Sequence, residues 1–310
     1  LNASTIVVPP LLGATVTLSY TPSSSGTFES NVTFIHPQLA SYNETVRAIT
    51  VAQVPPLPVI AVKGLSGVIF LWENGTWTPL PGATNNSVDL ARCGNTIYIA
   101  VRTLSGGIVV GAYDQATDTF LGWTSIPGAT PSRPAIAVDQ SCSKIYVVVR
   151  GLSNVIFYTI LYPNMTWSGA WSALPGITDD DPSAAVANGT LYVAVKSPIG
   201  KIFLWNGSSW IQVPGLTDDA PSLASNGTHL LLAVKGANTT GIFVGYYTAS
   251  GFQGWANIPG ATDVTPEVAF TPNGWTLVVK GLSGVIFTKP LNSGPWQPVP
   301  GVTDRSPAST

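Results

Sequence analysis

The chain has 310 residues, of which 45% are hydrophobic and only 9% are charged, and its net charge at pH 7 is −2. This near balance excludes the strongly basic surface that nucleic-acid binding requires, so we expect no nucleic-acid partner. No apolar run reaches the roughly 18 residues that a membrane-spanning helix needs, so we also expect no membrane span.

Residues 1–55 form a segment of their own, in which short apolar runs alternate with polar turns. Four of these runs are typical of strands: STIVV, TVTLSY, NVTFI and TVRAITVAQV. Four short strands make a poor independent core, and an open sheet has unpaired edges. We therefore expect the segment either to dock on the rest of the chain or to donate the leading LNASTIVV to a neighbouring copy. Such head-to-tail self-association builds a filament.

Residues 56–310 contain two phrases that recur along the chain. The first, VKGLSGVIF, stands at 62–70 and at 279–287, and its variants start at Val101, Val149, Val195 and Val234. The second is Trp, three residues and then Pro-Gly-x-Thr, and it starts at Trp77, Trp123, Trp171, Trp210, Trp255 and Trp296. A period near 40–45 residues with several short strands indicates the blades of a β-propeller.

Each repeat divides into four strands, called a, b, c and d from the propeller axis outward. In the third repeat they are predicted at Pro134–Gln140, Lys144–Arg150, Val155–Ile160 and Gly169–Pro175. Strand b is apolar at nearly every position, as expected of a strand covered on both faces. The first repeat lacks a strand a, and the tail SPAST after the last repeat matches one. The sequence therefore predicts an all-β, six-bladed β-propeller over 56–310 that is closed by its C-terminal strand.

The repeats have a family resemblance. One stretch, from Trp171 at the end of the third repeat to Trp205 in the fourth, reads WSALPGITDDDPSAAVANGTLYVAVKSPIGKIFLW. Its Trp, the turn after it, the Pro before strand a and the b–c hairpin resemble the repeats of bacterial lectin propellers of the fucose-binding, PLL type. The resemblance covers about residues 58–310. It implies the propeller fold and an expectation of glycan binding in pockets between blades, but it assigns no individual pocket residue.

The chain carries ten Asn-x-Ser/Thr sequons, which are candidate N-glycosylation sites: Asn2, Asn31, Asn43, Asn74, Asn85, Asn164, Asn188, Asn206, Asn226 and Asn238. Asn-Gly-Thr is also good turn chemistry, but that explains only three of them. The excess indicates a secreted glycoprotein at an extracellular or cell-surface location. Because the first residue is Leu1, we expect that a signal peptide has been removed. A glycan-rich surface with little charge suits an acidic habitat, so we hypothesise an archaeal surface protein.

Strand order assigns the turns to two faces of the predicted ring. The a–b and c–d turns share one face, here called the a–b face, and the b–c and d–a turns share the other, the b–c face. Five sequons fall on the a–b face: Asn74, Asn164, Asn188, Asn206 and Asn226. Only Asn85 and Asn238 fall on the b–c face, so we expect the barer b–c face to be a contact surface.

The b–c face also carries one cation per blade, at the end of strand b: Lys63, Arg102, Arg150, Lys196, Lys235 and Lys280. Aspartates follow several d–a turns. One interpretation is an anion or glycan site, and the other is a ring of local ion pairs that fix the turns. We expect the ring to be structural, because every blade repeats it.

Two further residue types suggest structural roles. Cys93 and Cys142, the only cysteines, precede strand b in adjacent repeats, and an extracellular chain favours a disulfide between them over two free thiols. The six periodic tryptophans are expected to pack between blades rather than to bind sugars. The less regular tryptophans are better candidates for an exposed aromatic side chain, although packing is still the more common role of such residues: Trp72, Trp167, Trp205 and Trp275.

The sequence lacks motifs for chemistry. His36 and His229 have no partner at metal-ligand spacing, and no phosphate loop or nucleophile elbow is present. We therefore expect no catalytic residue, no cofactor, no metal and no enzyme. Two functions stay open. The first is a structural subunit of an extracellular filament or surface layer, joined through the N-terminal strand, and the second is a carbohydrate-binding lectin.

Overall fold

A computed structural model of the protein describes the backbone of residues 26–36 and 39–50 and all atoms of residues 58–292 and 294–310. The chain forms two compact units, Leu1–Pro55 and Pro56–Thr310. In the first unit, β1 (Gly26–His36) and β2 (Leu39–Thr50) form an antiparallel hairpin. The predicted strands STIVV and TVTLSY, and with them the donor segment, lie outside the described residues.

The second unit consists of six four-stranded antiparallel sheets, each ordered a, b, c, d. This confirms the prediction of an all-β, six-bladed propeller, and the described residues contain no helix, hence none that could cross a membrane.

The blades are numbered along the chain, and their strands are as follows. Blade I has β26 (Ala308–Ser309), β3 (Ile60–Lys63), β4 (Val68–Glu73) and β5 (Thr76–Ala83). Blade II has β6 (Asp89–Cys93), β7 (Thr96–Arg102), β8 (Gly107–Asp114) and β9 (Thr119–Ala129). Blade III has β10 (Ala135–Val138), β11 (Ile145–Arg150), β12 (Val155–Leu161) and β13 (Ser172–Ile177).

The second half of the ring repeats the pattern. Blade IV has β14 (Ser183–Ala187), β15 (Thr190–Lys196), β16 (Lys201–Trp205) and β17 (Trp210–Leu216). Blade V has β18 (Ser222–Ser225), β19 (Leu230–Lys235), β20 (Ile242–Thr248) and β21 (Gly251–Ile258). Blade VI has β22 (Glu267–Thr271), β23 (Gly274–Lys280), β24 (Val285–Pro290) and β25 (Gln297–Val302).

The inner strand of blade I comes from the end of the chain. Ala308 lies opposite Ala61 in an antiparallel pair. The backbone groups of Val59 and Thr310 exchange two hydrogen bonds, both of 3.1 Å. The first and last repeats therefore share one sheet.

The core lies between the blades, which explains the continuous apolar run of strand b. On β7, Ile97, Ile99 and Val101 pack in a cluster with side chains of blade I. The alternate residues, Tyr98 and Ala100, pack in a second cluster with side chains of blade III. Because successive side chains of a strand point to opposite faces, a sheet between two others must be apolar at both.

The Trp phrase joins each blade to the one before it. In all six blades the indole Nε1 donates a hydrogen bond to the carbonyl of the phrase's proline in the preceding blade; Trp123, for example, bonds Pro81 at 2.7 Å. The glycine after that proline, such as Gly82 with φ of 103°, takes the left-handed conformation at a shift of register between strands c and d. The expected inter-blade role of these tryptophans agrees with these contacts. Of the less regular tryptophans, Trp72 and Trp275 are packed, at 3% and 7% exposed, as expected of most such residues.

Candidate functional site

Two cavities of the propeller are candidates for a binding site. One lies at the seam between blades II and III and has a volume of about 250 Å³. It is here called the seam pocket, and its lining residues are Thr96, Tyr98, Ala112, Leu121, Gly122, Trp123, Thr124, Pro163 and Met165. The other is the central channel, a cavity of about 450 Å³ between the inner strands.

The seam pocket exists because small residues lie where other blades have large ones. Tyr98 on β7 is opposite Ala112 on β8, and Ala112 is opposite Gly122 on β9. In blade III the tyrosine at the same position, Tyr146, is opposite Ile160 instead. Two neighbouring positions without a large side chain therefore leave room beside Tyr98.

The lining of the seam pocket combines hydroxyl groups with apolar surface. Thr96 and Thr124 are half-buried, and Tyr98 is buried, which raises the pKa of its phenol and keeps it a hydrogen-bond donor. Met165, on the c–d turn of blade III, supplies a flexible apolar wall. None of the nine lining residues carries a charge. The pocket can therefore accept a small neutral molecule that has both hydroxyl groups and an apolar side.

The indole of Trp123 is committed elsewhere. Its Nε1 donates to Pro81 of blade I, and its ring packs on Phe120 with 4.9 Å between centroids. Val109, Phe120 and Trp123 belong to the cluster between blades I and II, so the tryptophan does not offer a stacking face to the pocket.

A disulfide spans the same seam. Cys93 ends strand a of blade II, and Cys142 lies in the a–b turn of blade III; the two form a bond with 5.7 Å between their Cα atoms. The predicted disulfide is confirmed. It fixes the two blades to each other on the a–b face, beside the edge of the seam pocket that Thr96 lines.

The floor of the central channel holds a buried charged network, here called the channel floor. Arg133 is 1% exposed and forms an ion pair with Glu267. Its backbone N–H donates to Asp181 at 2.9 Å, and its Nε lies 3.7 Å from the same carboxylate. Ser222 donates to Glu267 at 2.6 Å. Asp89 accepts a hydrogen bond from the Ile136 N–H at 2.9 Å.

The channel floor joins five blades and has an excess of negative charge. Its residues belong to blades II (Asp89), III (Arg133), IV (Asp181), V (Ser222) and VI (Glu267). Three carboxyl groups surround one guanidinium. Burial, opposed by Arg133, raises the pKa of Asp89 to about 7 and that of Asp181 to about 6. Burial therefore brings the titration of these carboxyl groups close to neutral pH.

This network was not among the features predicted from the sequence, although the sequence contains a signal for it. Asp89 and Glu267 occupy the first position of strand a, where the other blades have Ala135, Ser183, Ser222 and Ala308. Arg133 lies two residues before the first position of strand a in blade III, Ala135. A charged residue at a repeat position that is small elsewhere indicates a special environment. Asp181 lies among the aspartates of the d–a turns, but it contacts Arg133 rather than a strand-b lysine.

The six cations of the b–c face make local contacts. Four lysines pair with aspartates of the d–a turn that leads into their own blade: Lys63 with Asp304, Lys196 with Asp179, Lys235 with Asp218, and Lys280 with Asp263. The two arginines donate to amides instead: Arg102 to Asn85 at 2.8 Å and Arg150 to Asn154 at 3.0 Å. These contacts fix turns, which is the structural interpretation of the ring.

The sequons of the propeller lie in turns. Asn74, Asn85, Asn164, Asn188 and Asn238 are exposed, and Asn206 and Asn226 are half-buried. Asn31 and Asn43 lie on β1 and β2, and Asn2 lies outside the described residues. Occupation of these sites stays a prediction.

No protein-family model matches the sequence, and no curated protein matches it significantly. Among solved structures, the chain is similar to TolB from Acinetobacter baumannii, with a TM-score of 0.59 and 12% identity over 81% of this chain; it spans 66% of the TolB chain. It is also similar to AofleA from Arthrobotrys oligospora, with a TM-score of 0.58 and 9% identity over 81% of this chain and 84% of that one.

A third similar structure is a fungal lectin from Aleuria aurantia, described as a six-bladed β-propeller with a novel mode of fucose recognition. Its TM-score is 0.55 and its identity 14%, over 79% of this chain and 90% of that one. At these identities the three similarities show the fold alone.

Proposed function

We propose that this protein binds a neutral sugar residue of a glycan in the seam pocket. The observation that carries the proposal is the uncharged lining, which combines the hydroxyl-bearing residues Tyr98, Thr96 and Thr124 with the apolar residues Met165 and Ala112. A sugar needs hydrogen-bond partners for its hydroxyl groups and apolar contact for its ring carbons. The similarity to a fucose-recognising lectin supports a deoxy sugar, whose methyl group suits the apolar wall.

We propose that the protein acts at this site by binding a sugar and does not catalyse a reaction there. The lining has no carboxylate, histidine, lysine or cysteine that could serve as acid, base or nucleophile.

Two substitutions test the site. Ala112→Ile restores the large residue that blade III has at Ile160 and should abolish binding by filling the pocket. Tyr98→Phe removes one hydroxyl group and should weaken binding about fivefold, the effect of a single neutral hydrogen bond. The matched control is Tyr146→Phe, the same position of blade III, which should leave affinity unchanged. Calorimetric titration with methyl α-L-fucoside measures all three, and thermal unfolding checks their folding.

The outcomes distinguish an error in the proposed function from an error in the proposed site. If the native protein binds no member of a glycan array, the proposed function is wrong. If it binds and Ala112→Ile binds equally well, the sugar lies elsewhere.

A glycan on the protein itself would affect the measurement. Asn164 is exposed and lies between two lining residues, Pro163 and Met165. A glycan on this sequon stands at the rim of the pocket. We therefore expect tighter binding by Asn164→Gln than by the native chain when both are made in a host that glycosylates, and equal binding when neither is glycosylated.

We also propose that the protein is extracellular and N-glycosylated. This proposal is supported by the exposed sequons and by the disulfide, which forms in oxidising compartments. The role of a filament subunit stays a second proposal that depends on residues 1–12. Their deletion, followed by electron microscopy in negative stain, tests it: loss of polymers supports the role, and unchanged polymers or none in the native protein contradict it.

A further inference from the structure

The b–c turns of five blades each expose a large apolar side chain. These side chains are 58–76% exposed and belong to Leu65, Leu104, Leu152, Ile199 and Leu282. Blade V has Ala237 and Asn238 in the same turn, so the fold does not require a leucine there. All five lie on the b–c face, and association of two such faces would remove their apolar surface from water.

Charge is distributed unevenly over the same face. Outside the channel floor, the b–c and d–a turns of blades I, II and III and the strand ends beside them carry four cations and one carboxylate: Lys63, Arg102, Arg150, Arg305 and Asp304. Those of blades IV, V and VI carry four lysines and five carboxylates: Lys196, Lys201, Lys235, Lys280, Asp179, Asp180, Asp218, Asp219 and Asp263. One half of the ring thus has a surplus of three positive charges, and the other has a surplus of one negative charge.

The difference in charge between the two halves is larger when only the exposed side chains are considered. The lysine side chains that form ion pairs are 8–11% exposed, whereas the aspartates above them are 30–49% exposed. Neither Arg102 nor Arg150 forms an ion pair with a residue that the structure describes. Carboxylates therefore face solvent in blades IV, V and VI, while blades II and III present guanidinium groups.

These two patterns fit a second copy of the same face. A two-fold axis in the plane of the face, passing between blades III and IV, exchanges blade I with VI, II with V and III with IV. It brings the positive half of one ring against the negative half of the other. It also brings Leu65 against Leu282, and Leu152 against Ile199. We propose that the b–c face is an isologous interface between two copies of this chain.

The two sequons of this face lie in one sector of the contact. Asn85 is in the turn that leads into blade II, and Asn238 is in the b–c turn of blade V. The proposed two-fold axis places these blades opposite each other, and the other two sectors carry no sequon. Glycans at Asn85 and Asn238 should therefore weaken the dimer, so the full chain is tested without N-glycans.

Sedimentation velocity over a range of concentrations tests the interface. The native chain should be a dimer. Leu152→Ser should weaken it at least tenfold, because each dimer loses two buried leucines. Tyr162→Ser is the matched control, since Tyr162 is exposed on the a–b face and should not change the dissociation constant.

A charge exchange tests the orientation. Arg150 of blade III faces the carboxylates of blade IV in the partner copy. Arg150→Asp alone and Asp179→Arg alone should each weaken the dimer, and the double variant should restore it. Near-ultraviolet circular dichroism checks that each variant is folded. A native chain that stays monomeric, single variants without effect, or binding to anionic phospholipid vesicles by a monomer that Leu152→Ser abolishes would overturn the proposal.

Discussion

The channel floor and the seam pocket are both polar spaces between blades, and they differ in what their polar groups contact. In the channel floor, Arg133 and Ser222 both bind the carboxylate of Glu267, and the network ties blades together. In the seam pocket, the hydroxyl-bearing residues Tyr98 and Thr124 line an open cavity with no charge. The comparison teaches that polar groups which satisfy one another stabilise the ring, whereas neutral ones beside a cavity are available to a ligand.

The largest effect is expected in the channel floor. Arg133→Met leaves three buried carboxyl groups without their cation and should lower the free energy of unfolding by about 3–5 kcal/mol at neutral pH. The control is Arg102→Met, which removes a half-buried cation of the b–c face and should cost less than about 1 kcal/mol. Urea unfolding measures both. Equal losses would show that the network has no special role.

The next effect concerns the seam. Replacing both Cys93 and Cys142 by serine removes the covalent link between blades II and III and should lower stability by about 2–4 kcal/mol. The same double variant should bind sugar more weakly. The walls of the pocket belong to blades II and III, and these are no longer covalently linked in the variant. Thermal unfolding with calorimetric titration measures both properties. Unchanged affinity would show that the disulfide does not maintain the shape of the pocket.

The pH dependence of stability distinguishes the two regions further. The pKa of Asp89 is about 7 in the folded protein against 3.8 when unperturbed, so folding favours the protonated carboxyl group. Its contribution is therefore fully present below about pH 4 and is lost as the pH rises to about 7, an effect of at most roughly 4 kcal/mol. Asp181, with a pKa of about 6, acts in the same direction.

Asp89→Asn should flatten this dependence, and unfolding free energies at acid and neutral pH measure it. Tyr98→Phe in the seam pocket should leave the dependence unchanged. A native protein that becomes more stable between weakly acid and neutral pH would contradict the assignment.

The smallest effect is expected for the loss of one of the six hydrogen bonds that the periodic tryptophans donate between blades. Trp255→Phe removes the hydrogen bond of 2.6 Å to the Pro214 carbonyl and should cost about 1 kcal/mol. Trp171→Phe, at the corresponding position of blade III, should cost the same. Unequal losses by chemical denaturation would show that the seams are not equivalent.

The sequence predicts features that repeat and misses features that depend on one blade. Blade number followed from the Trp phrase, and the disulfide followed from two cysteines in adjacent repeats. The channel floor joins Arg133 to Glu267 across four blades, and no local pattern indicates such a pair. The seam pocket depends on Ala112 lying opposite Tyr98, which only the register of β7 and β8 reveals.

A crystal structure with a selenium-labelled methyl fucoside tests the central claim most directly. The seam pocket should give an anomalous selenium peak between Tyr98 and Met165, and Ala112→Ile should remove it. Selenium bound only in the central channel, or absent at a concentration that saturates binding in solution, would contradict the claim.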